Sequence, residues 1–443
     1  MSDRPSQAPQ GPRAQDLERQ RDAGQGIGVG ELDLDGLDGD VLSLRPAPGG
    51  PPIGPGEVYV LVRLRGRPVG TVLGRVHRGE DPAGVLAASA RKQLAGFVPE
   101  ERPAPSPRPA RASVVVATRE RSAQLARALD SLLAQDHPDH EILVVDNNPA
   151  TDRTRELIER RYAPLGVRYT VEPVPGLAAA HNRGVAAAHG EILAFTDDDV
   201  IADPRWLSSL AAPFAADPRL GCATGLILPA RLTTPAQILL ESHGGFTKGF
   251  APRHFDPRRP PPDEPLFPFT AGRFGSGANM AFRADVIRAV GGFDPATGTG
   301  TPARGGDDLY AFARVVVAGH RLSYTPEALV WHHHRETWQD LENQAYGYGA
   351  GLTAYLTAIV ARRPSLLPGL LARVPRGLAH ALAISAHRDA GEQAVPGEHG
   401  AHSHPWPRSL SRLERRGMLY GPLGYLRARR RARGHRLPWE VAR

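Results

Sequence analysis

The sequence predicts an α/β fold with a mostly parallel central sheet, and two observations support this class. Short apolar segments alternate with segments whose apolar residues repeat at helical spacing, which is typical of strand–helix–strand crossovers. The apolar segment at residues 191–196 then stops abruptly at three consecutive acids, Asp197, Asp198 and Asp199. Such a segment predicts a buried parallel strand that delivers carboxylates to the edge of a sheet, where open α/β sheets bind ligands.

The composition is that of a soluble globular protein large enough for two or three domains. The chain has 443 residues, of which 41% are hydrophobic and 23% charged. The formal net charge of +7 comes almost entirely from arginine, since Lys92 and Lys248 are the only lysines. This charge suits nucleotide phosphates, anionic lipid surfaces or nucleic acid, and it does not choose between them.

Cysteine use and hydropathy indicate a cytoplasmic protein. Cys222 is the only cysteine, which excludes an intrachain disulfide and favours a reducing compartment. The polar N-terminus lacks the apolar core of a secretory signal. No uninterrupted apolar run reaches about 18 residues, so we predict no membrane span.

Shifts in composition predict five regions along the chain. They are a disordered tail (1–30), a small α+β accessory unit (31–100), a linker rich in Pro, Arg and Ala (101–112), the main α/β domain (113–340) and a helical basic extension (341–443). In the accessory unit, apolar residues 57–64 and 68–72 predict a hairpin around Arg65-Gly66-Arg67, and residues 85–94 predict a short helix.

The main domain begins with a regular series of predicted elements and continues irregularly. The predicted strands are 114–117, 141–145, 167–171, 192–196 and 279–282, and the predicted helices are 122–135, 152–161, 178–189, 284–290 and 309–318. Residues 232–273 form a long irregular segment, and loops of this length are usually functional or disordered.

Acidic residues follow several of these elements. Asp146 ends the second strand of the main domain, and the acidic triplet ends the fourth. Clustered carboxylates repel one another and resist burial, so a divalent cation with oxygen ligands is the natural compensation. The alternative is that these acids are solvated loop residues or helix caps. For Asp307 and Asp308, which begin a predicted helix, the alternative is stabilisation by the helix dipole.

Six segments in order give residues 113–335 a resemblance to family 2 glycosyltransferases, which have the GT-A fold. The segments are 114–121, 144–147, 175–184, 195–199, 291–294 and 306–308. The resemblance covers about half of the chain. Two positions depart from the family pattern: His181 stands where arginine is common, and Asp307 replaces the more usual glutamate.

The resemblance implies a site for a nucleotide sugar and a metal ion. The implied donor contacts are Thr118, Arg121, Asp146, Asn182 and Asp197. The implied ligands of Mg²⁺ or Mn²⁺ are Asp199, Asp197 and, in the cluster of residues 332–334, His332, with His334 as the alternative. Asp198 is expected to face solvent or to lie behind the ligands.

The implied activity is metal-dependent, inverting transfer of a sugar from a nucleotide donor, with UDP as the nucleotide, to a hydroxyl group of a glycan, lipid or cell-envelope acceptor. Such a reaction needs a general base for the acceptor hydroxyl, and we assign Asp308, whose pKa the neighbouring Asp307 should raise. The alternatives are a sugar-nucleotide pyrophosphorylase and a binding or scaffolding protein with a degenerate transferase domain.

The C-terminal part predicts an acceptor site and a membrane contact. Four aromatic residues either line the acceptor site or pack in the core: Trp331, Trp338, Tyr346 and Tyr348. Residues 342–373 and 410–433 are interpreted either as basic amphipathic helices lying on the inner face of an anionic membrane or as a solvated basic region. No recognised motif supports a nucleic-acid partner.

Overall fold

The computed structural model describes residues 26–95, 109–242, 245–373, 375, 406–432, 437 and 439. The predicted tail, apart from residues 26–30, and most of the predicted linker lie outside the described residues. The described chain contains a four-stranded sheet and a nine-stranded sheet, with helices packed on both.

The four-stranded sheet belongs to the accessory unit. Its elements are β1 (Gly28–Leu34), β2 (Val41–Pro46), β3 (Gly56–Leu64), β4 (Arg67–Val76) and helix α1 (Pro82–Gln93). The predicted hairpin is confirmed: β3 pairs antiparallel with β4, and Arg65 and Gly66 turn the chain with φ of 50° and 78°. Strands β1 and β2 were not predicted, although Leu32 and Leu34 alternate with acids and are fully buried.

The nine-stranded sheet forms the centre of the main domain. Its strands are β5 (Ala112–Thr118), β6 (His140–Asn147), β7 (Arg168–Glu172), β8 (Ile192–Asp197), β9 (Val200–Ala202), β10 (Leu220–Pro229), β11 (Arg253–Phe255), β12 (Asn279–Arg283) and β13 (Arg321–His332). The helices are α2 (Ser122–Leu132), α3 (Arg153–Leu157), α4 (Leu177–Ala187), α5 (Trp206–Ala216), α6 (Pro235–Ser242), α7 (Ala271–Phe274), α8 (Ala284–Ala289) and α9 (Asp307–Val317). Three helices follow: α10 (Trp338–Arg362), α11 (Leu367–Leu371) and α12 (Arg408–Arg431).

The sheet is parallel where the sequence pattern is most regular and mixed elsewhere. Its strand order is β11-β13-β10-β12-β8-β5-β6-β7, and the pairs β8-β5, β5-β6 and β6-β7 are parallel, as predicted. Strand β12 enters antiparallel between β8 and β10. Because β12 runs against its neighbours, its first residue lies beside the carboxyl end of β8, so the segment before β12 reaches the same edge as the acidic triplet.

The register of the parallel strands brings the predicted site residues to one edge. Thr118 at the end of β5 is opposite Asp146 on β6, and Ala117 is opposite Asp197 on β8. Strand β9 pairs antiparallel with β13, so Val200 lies opposite His332. Asp146 and the acidic triplet therefore lie at the same edge of the sheet, on the two strands that flank β5.

The accessory unit packs directly on the main sheet. Tyr59 on β3 shares an apolar cluster with Leu228 on β10 and Trp331 on β13. The buried guanidinium of Arg63 contacts Asp203 of the main domain at 2.6 Å and Glu31 at 3.0 Å. A buried charge is tolerated when it is paired in this way, so the interface between the two units is specific as well as apolar.

The C-terminal helices pack against each other through glycine. A Cβ on Gly349 of α10 would lie 1.9 Å from a backbone oxygen of α12, so only glycine permits this approach. Among the residues that the structure describes, no helix combines the length and apolar character needed to cross a bilayer.

Candidate active and metal site

The acidic triplet lies in a tight connection between two strands. Asp197 is the last residue of β8, and Asp198 and Asp199 form the turn before β9. The pairing of β9 with β13 brings His332 across from this turn, and the His333 amide donates to the Asp199 backbone oxygen at 2.9 Å. The sheet thus holds a carboxylate and an imidazole from distant segments in fixed positions.

Asp197, Asp199 and His332 offer ligand atoms that all lie within 4.8 Å of one another. Oδ1 of Asp199 is buried without a hydrogen-bond partner, and His332 Nε2 lies 3.4 Å from it. The other oxygen, Oδ2, contacts Arg121 at 3.2 Å and Arg335 at 3.4 Å. Two carboxylates, one of which has an unsatisfied buried oxygen, and one imidazole fit a divalent cation such as Mn²⁺ or Mg²⁺.

The two carboxylates of this cluster ionise differently. Burial, reinforced by the charge of Asp199, raises the pKa of Asp197 to about 7. Burial also opposes ionisation of Asp199, but His332, Arg335 and Arg121 outweigh it and lower the pKa of that carboxyl. Asp199 is therefore the anionic member of the pair in the metal-free protein.

Asp198 is buried and lies behind the cluster, so the solvent-facing alternative for it is wrong. Thr118 Oγ1 donates to its Oδ2 at 2.7 Å, and Arg121 Nη1 donates to its Oδ1 at 3.1 Å. The side chains of Thr118 and Arg121 are thus hydrogen-bonded to the acidic turn. Their expected contact with a nucleotide stays a prediction, and for Arg121 it requires the half-exposed guanidinium to be shared with the ligand.

Asp146 is fully buried at the end of β6. Tyr169 Oη donates to its Oδ2 at 3.0 Å, while Oδ1 is buried without a hydrogen-bond partner. Burial raises the pKa of the Asp146 carboxyl, and the hydroxyl groups of Tyr169 and Thr154 oppose that shift. The orphaned oxygen can accept one more hydrogen bond, and the expected contact with a base or ribose stays a prediction.

The expected nucleotide contact of Asn182 needs correction. Its side chain is 0% exposed, and both of its polar atoms bond to the backbone of Phe293: Oδ1 accepts at 2.9 Å and Nδ2 donates at 2.8 Å. Satisfied on both sides, the amide holds the turn after α8 against α4. Asn182 therefore supports the backbone near the site through Phe293 and does not offer a free polar atom to a ligand.

Asp308 lies in the first turn of α9, near the end of β8. Its carboxylate accepts from the Gly277 amide at 2.9 Å and from the Leu309 amide at 2.8 Å, and Gly277 lies two residues before the start of β12. Burial and the neighbouring Asp307 raise the pKa of Asp308 to about 6. His181, buried beneath, lies 3.3 Å from Asp307, so it supports the acidic pair from below rather than facing a phosphate.

The structure decides two alternatives that the sequence left open, for His334 and Trp331, and it adds Lys248, which the sequence analysis missed. His334 Nε2 lies 3.2 Å from Glu241, so His334 points away from the cluster, and His332 is the better ligand candidate. Trp331 is buried between the accessory unit and the sheet and cannot line an acceptor site. Burial lowers the pKa of Lys248 to about 8, which the charge of Asp308 partly offsets. Its only signal in the sequence was the rarity of lysine.

Fold and site together define an α/β domain with a candidate metal centre at the carboxyl edge of its sheet. Residues 113–291 match the family described as Glycosyl transferase family 2, and this part of the chain belongs to that family. The match and the sheet order confirm the predicted family and its GT-A type α/β fold.

Named relatives share part of this chain. A pre-mycofactocin glycosyltransferase of Mycobacterium tuberculosis is 28% identical over 265 residues, which cover 60% of this chain and 52% of the relative. The chain therefore spans about half the length of that relative. The O-antigen biosynthesis protein RfbC of Myxococcus xanthus is 29% identical over 229 residues, covering 50% of this chain and 17% of the relative.

A solved structure is also similar to this chain. It is the mannosyltransferase PcManGT from Pyrobaculum calidifontis in complex with GDP-Man and Mn²⁺. The similarity has a TM-score of 0.46 and 20% sequence identity, and it covers 76% of this chain and 92% of the other.

Proposed function

We propose that this chain is a metal-dependent inverting glycosyltransferase that moves a sugar from a nucleotide donor, a UDP-sugar in the first instance, to an acceptor hydroxyl. The observation that carries the proposal is that Asp146, the cluster of Asp197, Asp199 and His332, and the partly exposed Asp308 lie at one edge of the sheet. Family membership of residues 113–291 supports the reaction class.

In this proposal each acid has a separate task. Asp199, Asp197 and His332 hold the divalent cation, which when bound neutralises charge on the diphosphate leaving group. The unsatisfied oxygen of Asp146 accepts a hydrogen bond from the base or ribose of the donor.

Asp308 takes the proton from the acceptor hydroxyl as that oxygen attacks the anomeric carbon. Its raised pKa matches a general base that works near neutral pH, because a base is most effective when its pKa lies close to the operating pH. Direct displacement by one acceptor oxygen inverts the anomeric centre. A glycan, a lipid-linked sugar or another cell-envelope component serves as the acceptor.

Release of nucleoside diphosphate from a panel of sugar nucleotides tests this function. We expect release from at least one UDP-sugar in the presence of Mn²⁺, because the cluster neutralises the leaving group only when the cation is bound. The measurement is product formation with Mn²⁺, with Mg²⁺ and with excess chelator. Donor binding without turnover under any of these conditions would favour the scaffolding alternative.

We further propose that helix α12 lies on the inner face of an anionic membrane. Three leucines spaced four and three residues apart are exposed: Leu419 (84%), Leu423 (47%) and Leu426 (47%). Exposed arginines flank them along the same helix, including Arg416 and Arg427. An apolar strip bordered by arginine suits the boundary between acyl chains and acidic headgroups.

Replacing Leu419, Leu423 and Leu426 together by serine should weaken binding to anionic vesicles by at least about tenfold, since each leucine buries apolar area in the bilayer. Co-sedimentation with vesicles that contain phosphatidylglycerol measures the effect. Leu165→Ser, at another exposed leucine (59%), is the matched control and should bind like the wild type. Undiminished binding of the triple variant would exclude α12 as the contact.

A further inference from the structure

A chain of buried polar side chains runs from the metal cluster to the accessory unit. His332 Nδ1 lies 2.9 Å from His334 Nδ1, and His334 Nε2 lies 3.2 Å from Glu241 Oε2 on α6. Tyr59 Oη, on β3 of the accessory unit, donates to Glu241 Oε1 at 3.2 Å. All four residues are buried, so water does not compete for these contacts.

The donors and acceptors in this series of side-chain hydrogen bonds can be ordered in only one way when both histidine rings are neutral. An ionised carboxylate only accepts, so His334 donates through Nε2–H to Glu241. His334 Nδ1 then carries a lone pair and accepts from Nδ1–H of His332. The Nε2 of His332 is left with its lone pair directed at Asp199 Oδ1, 3.4 Å away. Two lone pairs that face each other at this distance repel unless a proton or a metal ion lies between them.

We propose that Glu241 and Tyr59 are positioning residues that fix His332 in the tautomer able to bind the metal ion. The inference rests on the proposed function, because it assumes that His332 is a ligand. It also gives the accessory unit a role in metal binding, since Tyr59 donates the hydrogen bond to Glu241 that ends this series of side chains. Partners that orient a ligating imidazole in this way generally strengthen metal binding.

The surroundings hold the chain of side chains in place. Gln237 Nε2 donates to the His334 backbone oxygen at 3.1 Å, which ties α6 to the segment after β13. Phe246 packs against the rings of His332 and His334, with centroid distances of 5.1 and 5.5 Å. The rings therefore cannot turn freely, and the protonation pattern is set by Glu241 rather than by solvent.

The test compares the affinity of purified full-length variants for Mn²⁺ alone, measured from the electron paramagnetic resonance signal of free Mn²⁺. Glu241→Leu removes the acceptor and should weaken Mn²⁺ binding by about 10- to 100-fold. Glu241→Gln can turn its amide oxygen toward His334 and should stay within about threefold of the wild type. Tyr59→Phe, which removes one hydroxyl, should give an intermediate loss.

Arg67→Gln is the matched control, because it breaks an ion pair with Glu327 (2.9 Å) between the same two units without touching the chain of side chains. Its Mn²⁺ affinity should equal that of the wild type. Equal losses in Glu241→Leu and Glu241→Gln, or no loss in either, would overturn this inference alone. Absence of Mn²⁺ binding by the wild type would overturn the proposed metal site itself. Thermal unfolding of each variant identifies any that fail to fold. If a Glu241 variant fails to fold, the Mn²⁺ affinity of Tyr59→Phe decides whether the inference holds.

Discussion

Replacing Asp199 by asparagine is expected to abolish Mn²⁺ binding and to lower the rate of nucleotide release by about a thousandfold or more. The change removes the carboxylate of the cluster whose pKa is lowered by its cationic neighbours, and with it the anionic ligand. Loss of a cation that stabilises the leaving group by several kcal/mol corresponds to a rate loss of this size. Mn²⁺ affinity and Mn²⁺-dependent release of nucleoside diphosphate measure the two effects.

The neighbouring Asp198 provides a matched comparison. Its carboxylate is occupied by Thr118 and Arg121, so Asp198→Asn should retain Mn²⁺ affinity within about threefold even where donor turnover falls. If Asp198→Asn lost Mn²⁺ as completely as Asp199→Asn, the assignment of the ligands within the triplet would be incorrect. Both variants replace one carboxylate oxygen by an amide nitrogen, at adjacent positions, which makes the contrast direct.

Asp308→Asn is expected to lower the turnover number by about 10²- to 10⁴-fold, the usual contribution of a general base. Donor binding should change little, because the carboxylate contacts only the amides of Gly277 and Leu309 among the described residues. Calorimetric titration with donor and a rate measurement separate binding from turnover. Full transfer activity in Asp308→Asn would show that another group accepts the proton.

The pH dependence follows from the same carboxyl. A base must be ionised to act, so turnover should rise with pH through the Asp308 pKa of about 6 and level off above it. Asp307→Asn removes the like charge that helps to raise this pKa, so the acidic limb of its profile should move to lower pH. Burial is the larger cause of the raised pKa and is unchanged by the substitution, so the limb should not move back to the value of a free aspartate.

The predictable part of the fold is the part where local pattern determines structure. Strands β5 to β7 were predicted because each is a short apolar run followed by a helical pattern, and β8 because its apolar run stops at the acidic triplet. The fully buried β10 was not predicted, since Gly221 and Gly225 interrupt its pattern. Those glycines are required by tertiary packing: a Cβ on Gly225 would lie 2.1 Å from the Ala328 backbone oxygen. Such a constraint comes from a neighbouring strand and has no local signature.

The same distinction applies to the site. The acids at strand ends and His332 were identified from their spacing and from the family resemblance, and the fold brings the acidic edge and His332 together. Glu241 was not identified, because it lies in the long segment before β11 and acts through His334. Tyr59 and Glu241 are 182 residues apart in sequence, and only the docking of the accessory unit brings them into contact. Asn182 was assigned to the ligand although its amide serves the turn at Phe293.

The way in which the two units pack limits how this protein can be divided or recombined. Leu226, Leu228 and Trp331 are covered by the first unit through Tyr59 and Leu61. A shortened protein that begins at the first strand of the large sheet would expose this apolar surface to water and would tend to aggregate. Exchange of the leading segment between homologues would likewise demand compensating changes on the far side of the contact, so the two parts are expected to be inherited together.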